Sequence, residues 1–289
     1  MGNTNRCASG KAASQSYKKQ EAAINSATKA QEQFNAAQTK AWKNEFQNNY
    51  AYNNGKTEVD QIQLDQMGYE TVLVARRYEK LQELKQLLKN NCTCICLDLS
   101  IKENCFKLYE MFPKADILIN NAGFGKFGAI IDSDVNEDVK MIDTNITAQY
   151  LLQKLYLDQF IKRGSGRILN TASAAAFMPG PYFALYYASK SFVLSVSQAA
   201  NREAKGSGVT VSAFCPGSVE TEFNSVAKTT SSSKPISAEF AVKYALKKMF
   251  KGKKLIIPTL KIKAAFVMSR LMPQGLLTEF SAKIQQKRM

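Results

Sequence analysis

A chain of 289 residues with 45% hydrophobic content has material for one sizeable core plus extensions. It carries a net charge of +15 and contains no histidine. Ser-His-Asp hydrolysis, Cys-His nucleophiles and His-ligated zinc are thereby excluded, and acid-base chemistry falls to Tyr, Lys, Asp or Glu.

From Asn3 to about Asn54 the chain is rich in Ala, Gln, Asn, Lys and Ser, and its apolar residues are too sparse for a core. Glu21 to Lys43 is expected to be helical, with Ile24, Phe34 and Trp42 as weak anchors, and the flanks read as disordered. No apolar run follows the start, so a secretory signal is not expected. Arg6 stands where myristoylation wants Ser or Thr, and Glu21, Glu32 and Glu45 speak against a transit peptide. The expected organisation is an extension over 1–57, an α/β domain over 58–258 and a basic amphipathic helical segment over 259–289.

Within the central region, strands and helices alternate. The strand Thr71 to Ala75 runs into Arg76-Arg77 and a helix from Tyr78 to Asn90; the strand Cys92 to Leu97 is followed by Asp98-Leu99. Asp116 to Ile119 leads into Asn120-Asn121-Ala122-Gly123, and a long helix, Val135 to Arg163, carries Thr144-Asn145 in its middle. Next come the strand Arg167 to Ser173, a Pro/Gly loop at Met178 to Pro181, and a helix opening near Tyr186. A further strand, Val209 to Phe214, ends in Cys215-Pro216-Gly217-Ser218-Val219-Glu220-Thr221. Such alternation predicts a parallel sheet wrapped by helices on both faces, with ligands at the carboxyl ends of the strands. All six cysteines read as structural: Cys92, Cys94 and Cys96 alternate along one strand, no Cys-x-x-Cys occurs, and no metal site is expected. A reducing cytoplasm is the simplest compartment.

With 12 Tyr and 31 Lys, chance predicts roughly one Tyr-xxx-Lys pair, and the chain holds four: Tyr52/Lys56, Tyr150/Lys154, Tyr186/Lys190 and Tyr244/Lys248. Three of them read as solvated helix pairs. Only Tyr186 has the rest of a site around it, with Ser173 thirteen residues upstream and Asn145 further back. A phenol ordinarily titrates near 10, so Tyr186 needs a nearby positive charge to exchange protons around neutral pH, and Lys190 lies one helical turn away to supply it. Ser173 would hold the reacting oxygen in line.

Asp98-Leu99, Asn120-Asn121-Ala122-Gly123, Thr144-Asn145, Ser173, Tyr186-xxx-Lys190 and Pro216-Gly217-x-Val219-x-Thr221 stand in the order and spacing of the short-chain dehydrogenase/reductase family, which the stretch from Met67 to Pro258 resembles. The resemblance implies a Rossmann-type, doubly wound α/β fold and hydride transfer between NAD(P)(H) and a carbonyl or alcohol. It implies Tyr186 as proton donor and acceptor, Lys190 also anchoring the nicotinamide ribose, Asn145 holding a water, and Asp98 meeting the adenine. Leu99, Asn121, Ala122, Gly123, Pro216, Gly217, Val219 and Thr221 are the further cofactor-binding positions it carries over. Relatives commonly form homo-oligomers through the two long helices, here Val135 to Arg163 and Tyr186 to Ala204. Arg76-Arg77 stands where NAD enzymes usually place a carboxylate for the ribose 2′-hydroxyl, so NADP(H) is favoured over NAD(H).

One element departs from that pattern. Counting back from Gly68 places the family's glycine-rich turn, Thr-Gly-x-x-x-Gly-x-Gly, over Tyr50 to Thr57, where only Gly55 agrees, and Trp42 to Asn49 lacks the apolar character of a central strand. The first strand reads as degenerate or missing. Two readings follow: an NADP(H)-dependent carbonyl reductase or alcohol dehydrogenase for a hydrophobic small molecule, or a catalytically impaired relative serving as a binding or scaffold protein.

From Lys228 onward, fourteen Lys or Arg face only Glu239 and Glu279. A helix (Ala238 to Lys251) and a last strand (Lys254 to Pro258) precede amphipathic stretches around Ile262 to Met272 and Leu276 to Ile284, either a lid over the substrate cleft or a basic surface for anionic lipid presenting Phe266, Val267, Leu271 and Leu276. No apolar run is long enough to span a bilayer, and no aromatic platform or recognition motif supports nucleic-acid binding.

Overall fold

The computed structural model describes residues 50–53, 58–230 and 234–288, all within the compact unit Asn48–Met289. Strands β1 (Tyr50–Asn53), β2 (Glu70–Ala75), β3 (Cys92–Cys96), β4 (Ile117–Asn120), β5 (Gly166–Thr171), β6 (Val209–Phe214) and β7 (Leu255–Ile256) form a parallel sheet in the order β3-β2-β1-β4-β5-β6-β7. All four residues of β4, and four of the six in β2, are buried, as a sheet covered on both faces requires. Strand order reverses beside β1, which creates a crevice at the carboxyl ends of β1 and β4.

The start of the sheet differs from the expected one in register. The strand lies on Tyr50–Asn53, inside the stretch assigned to the glycine turn and the N-terminal extension. It pairs with β2 through Tyr50 opposite Glu70 and with β4 through Ala51 opposite Ile117. A four-residue segment without a strong apolar signature is held as a strand because a backbone ladder engages it on each side, a context that outweighs intrinsic propensity. The first strand is degenerate in sequence but present. The expected Glu21 to Lys43 helix and residues 54–57, including Gly55, lie outside the described residues.

Helices α1 (Glu58–Gln66) and α8 (Ala238–Phe250) cover one face, where Leu64, Ala241, Val242, Leu246 and Met249 pack on Ile117, Ile119, Leu169 and Phe214. Helices α2 (Tyr78–Lys85) and α3 (Lys102–Met111) connect the early strands. On the opposite face lie α5 (Gln149–Arg163) and α6 (Ala184–Glu203). The expected long helix is α4 (Val135–Ile142), a π-helical turn over Asp143–Ala148, and α5, which Gly164 ends in the left-handed region at φ 78. A short helix, α7 (Phe223–Val226), follows β6, and the C-terminal stretches are α9 (Leu260–Leu271) and α10 (Gln274–Gln286). Among the described residues no helix is long and apolar enough to cross a membrane.

Polar side chains inside this core fix the sheet to the helices. Asn120 Nδ2 donates to Asn170 Oδ1 at 2.9 Å and to the Gln149 carbonyl at 3.2 Å. Asn170 Nδ2 donates to Ser197 Oγ at 2.8 Å and to Gln153 Oε1, while Ser197 Oγ donates to the Val193 carbonyl at 2.6 Å. These four side chains are buried and tie the ends of β4 and β5 to α5 and α6. Asn170→Ala strands polar groups on three partners, each orphan costing about 1–3 kcal/mol, and is expected to lower stability in urea denaturation by about 2–4 kcal/mol. A change within about 0.5 kcal/mol, the ordinary effect of a surface substitution, would contradict that role.

Candidate active site

Tyr186 enters through a tight approach to α6. In the loop before the helix, a Cβ on Gly180 would stand 2.4 Å from the Tyr187 ring, so only glycine lets this backbone close over α6. Tyr186 and Lys190 then share one helix face, both nearly fully buried. Phe183 stacks on the Tyr186 ring with centroids 4.7 Å apart, and Phe223 approaches it at 5.1 Å. Gly125 makes room for this stack, since a Cβ there would meet the Phe183 ring at 2.7 Å.

Ser173 follows β5 and caps a 3-10 turn over Ala174–Phe177, its Oγ accepting from Ala175 N at 3.1 Å. Its hydroxyl also acts on Tyr186, drawing the phenol's pKa downward. Pro216, after β6, accepts from Ala174 N at 2.8 Å, which locks the loops following β5 and β6 together. Lys190 Nζ donates to the Thr171 carbonyl at 2.7 Å and lies 5.8 Å from the Tyr186 ring centroid.

Burial acts on the two ionisable groups in opposite directions. It pushes the Tyr186 phenol up to about 12, against the opposing influence of the Ser173 hydroxyl and of the positive charge of Arg288. It draws the Lys190 ammonium down to about 8, against the opposing influence of Cys215. The sequence looks to Lys190 to acidify Tyr186, whereas among the protein's own groups the downward pull comes from Ser173 and Arg288. A residue next to Tyr186 in sequence, Tyr187, is likewise raised by burial.

Asn145 is wholly buried in the π-helical turn. Its Oδ1 accepts from Phe124 N at 3.0 Å, and its Nδ2 donates to the Phe124 carbonyl at 2.8 Å and to Ser189 Oγ at 3.1 Å. The amide thus clamps the loop after β4, and Ser189 passes the connection to the Tyr186 carbonyl at 2.7 Å. A Cβ on Gly123 would stand 3.0 Å from Asn145 Oδ1 and 3.3 Å from Lys190 Nζ, so the missing side chain keeps open the space in front of both.

A cavity of about 330 Å³ opens at the carboxyl ends of β4, β5 and β6. Asn121, Gly123, Ser173, Tyr186 and Lys190 line it, as do Pro216, Gly217, Val219 and Thr221. Thr221 Oγ1 accepts from Phe223 N at 3.3 Å, and Val219 bridges to Ile236, which shapes this wall. Arg76, Arg77, Asp98, Leu99, Ala122 and Asn145 stand outside the lining. Arg76 faces Asp98, which is partly buried, at 3.9 Å, and Arg77 reaches Glu222 at 3.0 Å in an exposed pair. Burial raises the Asp98 carboxyl, but two hydrogen bonds from Ser100, with Arg76 and Lys140 nearby, leave it below the usual carboxylate range. The Ala122 carbonyl accepts from Gln149 Nε2 at 2.8 Å, and Leu99 is buried. The open space before Gly123, the buried ammonium and the hydroxyl pair fit the ribose and nicotinamide end of a dinucleotide.

Sequence reasoning missed Phe183, Tyr187, Ser281 and Arg288 on the same cavity wall. The last two share with Leu277 and Gln285 the helical spacing that turns one side of α10 inward. That period was legible, but the tail's cations read as solvated or lipid-facing.

The model of the short chain dehydrogenase family matches residues 61–232. The Bacillus subtilis protein named uncharacterized oxidoreductase YvaG is 32% identical over 164 residues, 55% of this chain and 62% of that protein. The Rickettsia felis 3-oxoacyl-[acyl-carrier-protein] reductase FabG is 30% identical over 159 residues, 55% of this chain and 66% of its own length. A short-chain dehydrogenase from Sphingobium yanoikuyae, solved in complex with NADPH, superposes with a TM-score of 0.72 at 25% identity, covering 79% of this chain and 95% of its own. A family match over more than half its length, on a sheet with this strand order, makes the chain a member of the short-chain dehydrogenase family.

Proposed function

We propose that the protein is an NADP(H)-dependent oxidoreductase that interconverts a carbonyl and an alcohol on a small, largely apolar molecule. The observation that carries this reading is the meeting of Tyr186, Ser173 and Lys190 on one wall of a cavity at the strand ends. A nicotinamide supplies the hydride in reduction and accepts it in oxidation. Tyr186 gives its phenolic proton to the substrate oxygen in the first direction and takes it back in the second, while Ser173 hydrogen-bonds that oxygen and orients it. Lys190 holds the ribose hydroxyls, and Asn145 keeps the loop after β4 in place.

Tyr186→Phe is expected to lower kcat by about 10²–10⁴, the usual worth of a positioned proton donor, and to leave NADPH affinity within about twofold in a fluorescence titration. Unchanged turnover would refute the assignment. NADPH affinity should also fall as pH rises through about 8, because Lys190 is an ammonium below that point and loses its charge above it. An affinity that stays flat across this range, with Lys190→Met behaving identically, would contradict the ribose-holding role.

Preference for NADP(H) is supported by Arg76 and Arg77 just past β2, neither of which is replaced by a carboxylate in the sequence. Both arginine side chains lie about half-exposed, and their ion pairs, worth about 0–1 kcal/mol each, are easily exchanged for a 2′-phosphate. Replacing both with Glu should weaken NADPH by about 10–100-fold, the worth of a charge-assisted contact, and NADH far less. Equal losses for the two would overturn the preference.

The five described cysteines are free thiols, which supports a reducing compartment. Val135, Val139, Ile142 and Tyr150 are exposed along α4 and the start of α5, a stripe that supports association of two copies. On α9, Leu260, Val267, Met268 and Leu271 are exposed on one face flanked by Lys261, Lys263 and Arg270, which supports peripheral contact with anionic lipid. Co-sedimentation with phosphatidylserine vesicles is expected, lost in Leu271→Asp and in high salt; absence of the wild-type protein from the pellet would exclude this contact.

A further inference from the structure

Arg288, just beyond α10, brings a guanidinium to the cavity. It lies 5.7 Å over the Phe183 ring, and that ring is the one stacked on Tyr186. A second aromatic face, Phe127, stands 6.0 Å away. Nε donates to the Thr230 carbonyl at 2.7 Å and Nη1 to Gln285 Oε1 at 3.1 Å, both neutral acceptors. Among the described residues no carboxylate forms an ion pair with it. Among the described residues Glu222 is the one carboxylate lining the cavity, and it is engaged by Arg77 at 3.0 Å.

A second observation falls on the same wall. Ser281, two helical turns earlier on α10, is 1% exposed, lines the cavity, and its Oγ has no hydrogen-bond partner among the described residues. Buried hydroxyls are rarely left unmade, and a half-buried guanidinium without a counterion attracts an anion. Between these two groups and Tyr186 the wall is apolar, with Met178, Phe183, Phe223 and Ile284.

We propose that Arg288 and Ser281 form an anion subsite of the cavity, so that the substrate is a carbonyl compound whose apolar body ends in a carboxylate. The proposal rests on the reading of the cavity as a carbonyl-reducing site and names the substrate class for it. Arg288 binds the carboxylate with the N–H groups not used by Thr230 and Gln285, Ser281 donates a further hydrogen bond, and the chain lies along the aromatic wall toward Ser173 and Tyr186. Lys190, the other cation of the cavity, stays on the cofactor side, held by Thr171.

Calorimetric titration of the full-length protein with octanoate and with octanol separates charge recognition from apolar fit. Octanoate is expected to bind about 10–100-fold more tightly than octanol, and Arg288→Gln to remove that advantage while leaving octanol within about twofold. Ser281→Ala should reduce octanoate binding by a smaller factor. Equal binding of the two probes, no measurable octanoate binding, or an equal loss of both in Arg288→Gln would overturn the subsite. Turnover of a medium-chain oxo acid and its methyl ester with NADPH then tests the underlying reading separately. Preference for the acid that vanishes in Arg288→Gln supports both. Arg288-dependent octanoate binding without any turnover would retain the subsite and refute the reductase.

Discussion

Burial of two ionisable side chains one helical turn apart is the constraint on which this site depends. Tyr186 and Lys190 sit on the inward face of α6, and loss of water disfavours the charged form of each. The phenol therefore keeps its proton and the ammonium loses its own more readily than in solution. In the proposed reaction, a phenol that stays protonated through neutral pH suits reduction, and a cation poised near 8 responds strongly to whatever charge is brought beside it. The fold makes this burial affordable by giving Lys190 the Thr171 carbonyl and Tyr186 the Ser173 hydroxyl, both supplied from the end of β5.

Geometry at the strand ends is maintained by polar connections rather than by apolar packing alone. Asn145 sits within the π-helical turn, and its amide meets the backbone of Phe124. Gly123 and Gly125 follow from the same crowding: one keeps space before Lys190 and the other before Phe183. Deeper in, Asn120 and Asn170 link neighbouring strands to both covering helices, so the loops that carry Asn121, Gly123 and Ser173 leave the sheet from fixed points.

Much of this was legible in the chain. Apolar strands running into Asn120, Ser173 and Pro216 announced the sheet and the end of it at which the cavity opens, and the Tyr186/Lys190 spacing stood out from three similar pairs because Ser173 and Asn145 accompanied it. The first strand was legible only in part, since pairing with β2 and β4 holds Tyr50–Asn53 in extended form where side-chain pattern gives little sign of it. Electrostatic balance was not legible: adjacency in sequence suggests that Lys190 acidifies Tyr186, while burial depth and the approach of Arg288 are properties of the folded chain. Arg288 and Ser281 also lie some hundred residues beyond Tyr186, and only the packing of α10 against the cavity brings them into one site.

The most direct test of the buried pair is an NMR titration that follows Lys190 and Tyr186 through labelled lysine and tyrosine, assigned with Lys190→Met and Tyr186→Phe. Midpoints near 8 for the ammonium and near 12 for the phenol are expected. Ordinary values of about 10.5 and 10 would mean that both groups face water, and the account of the site would fail.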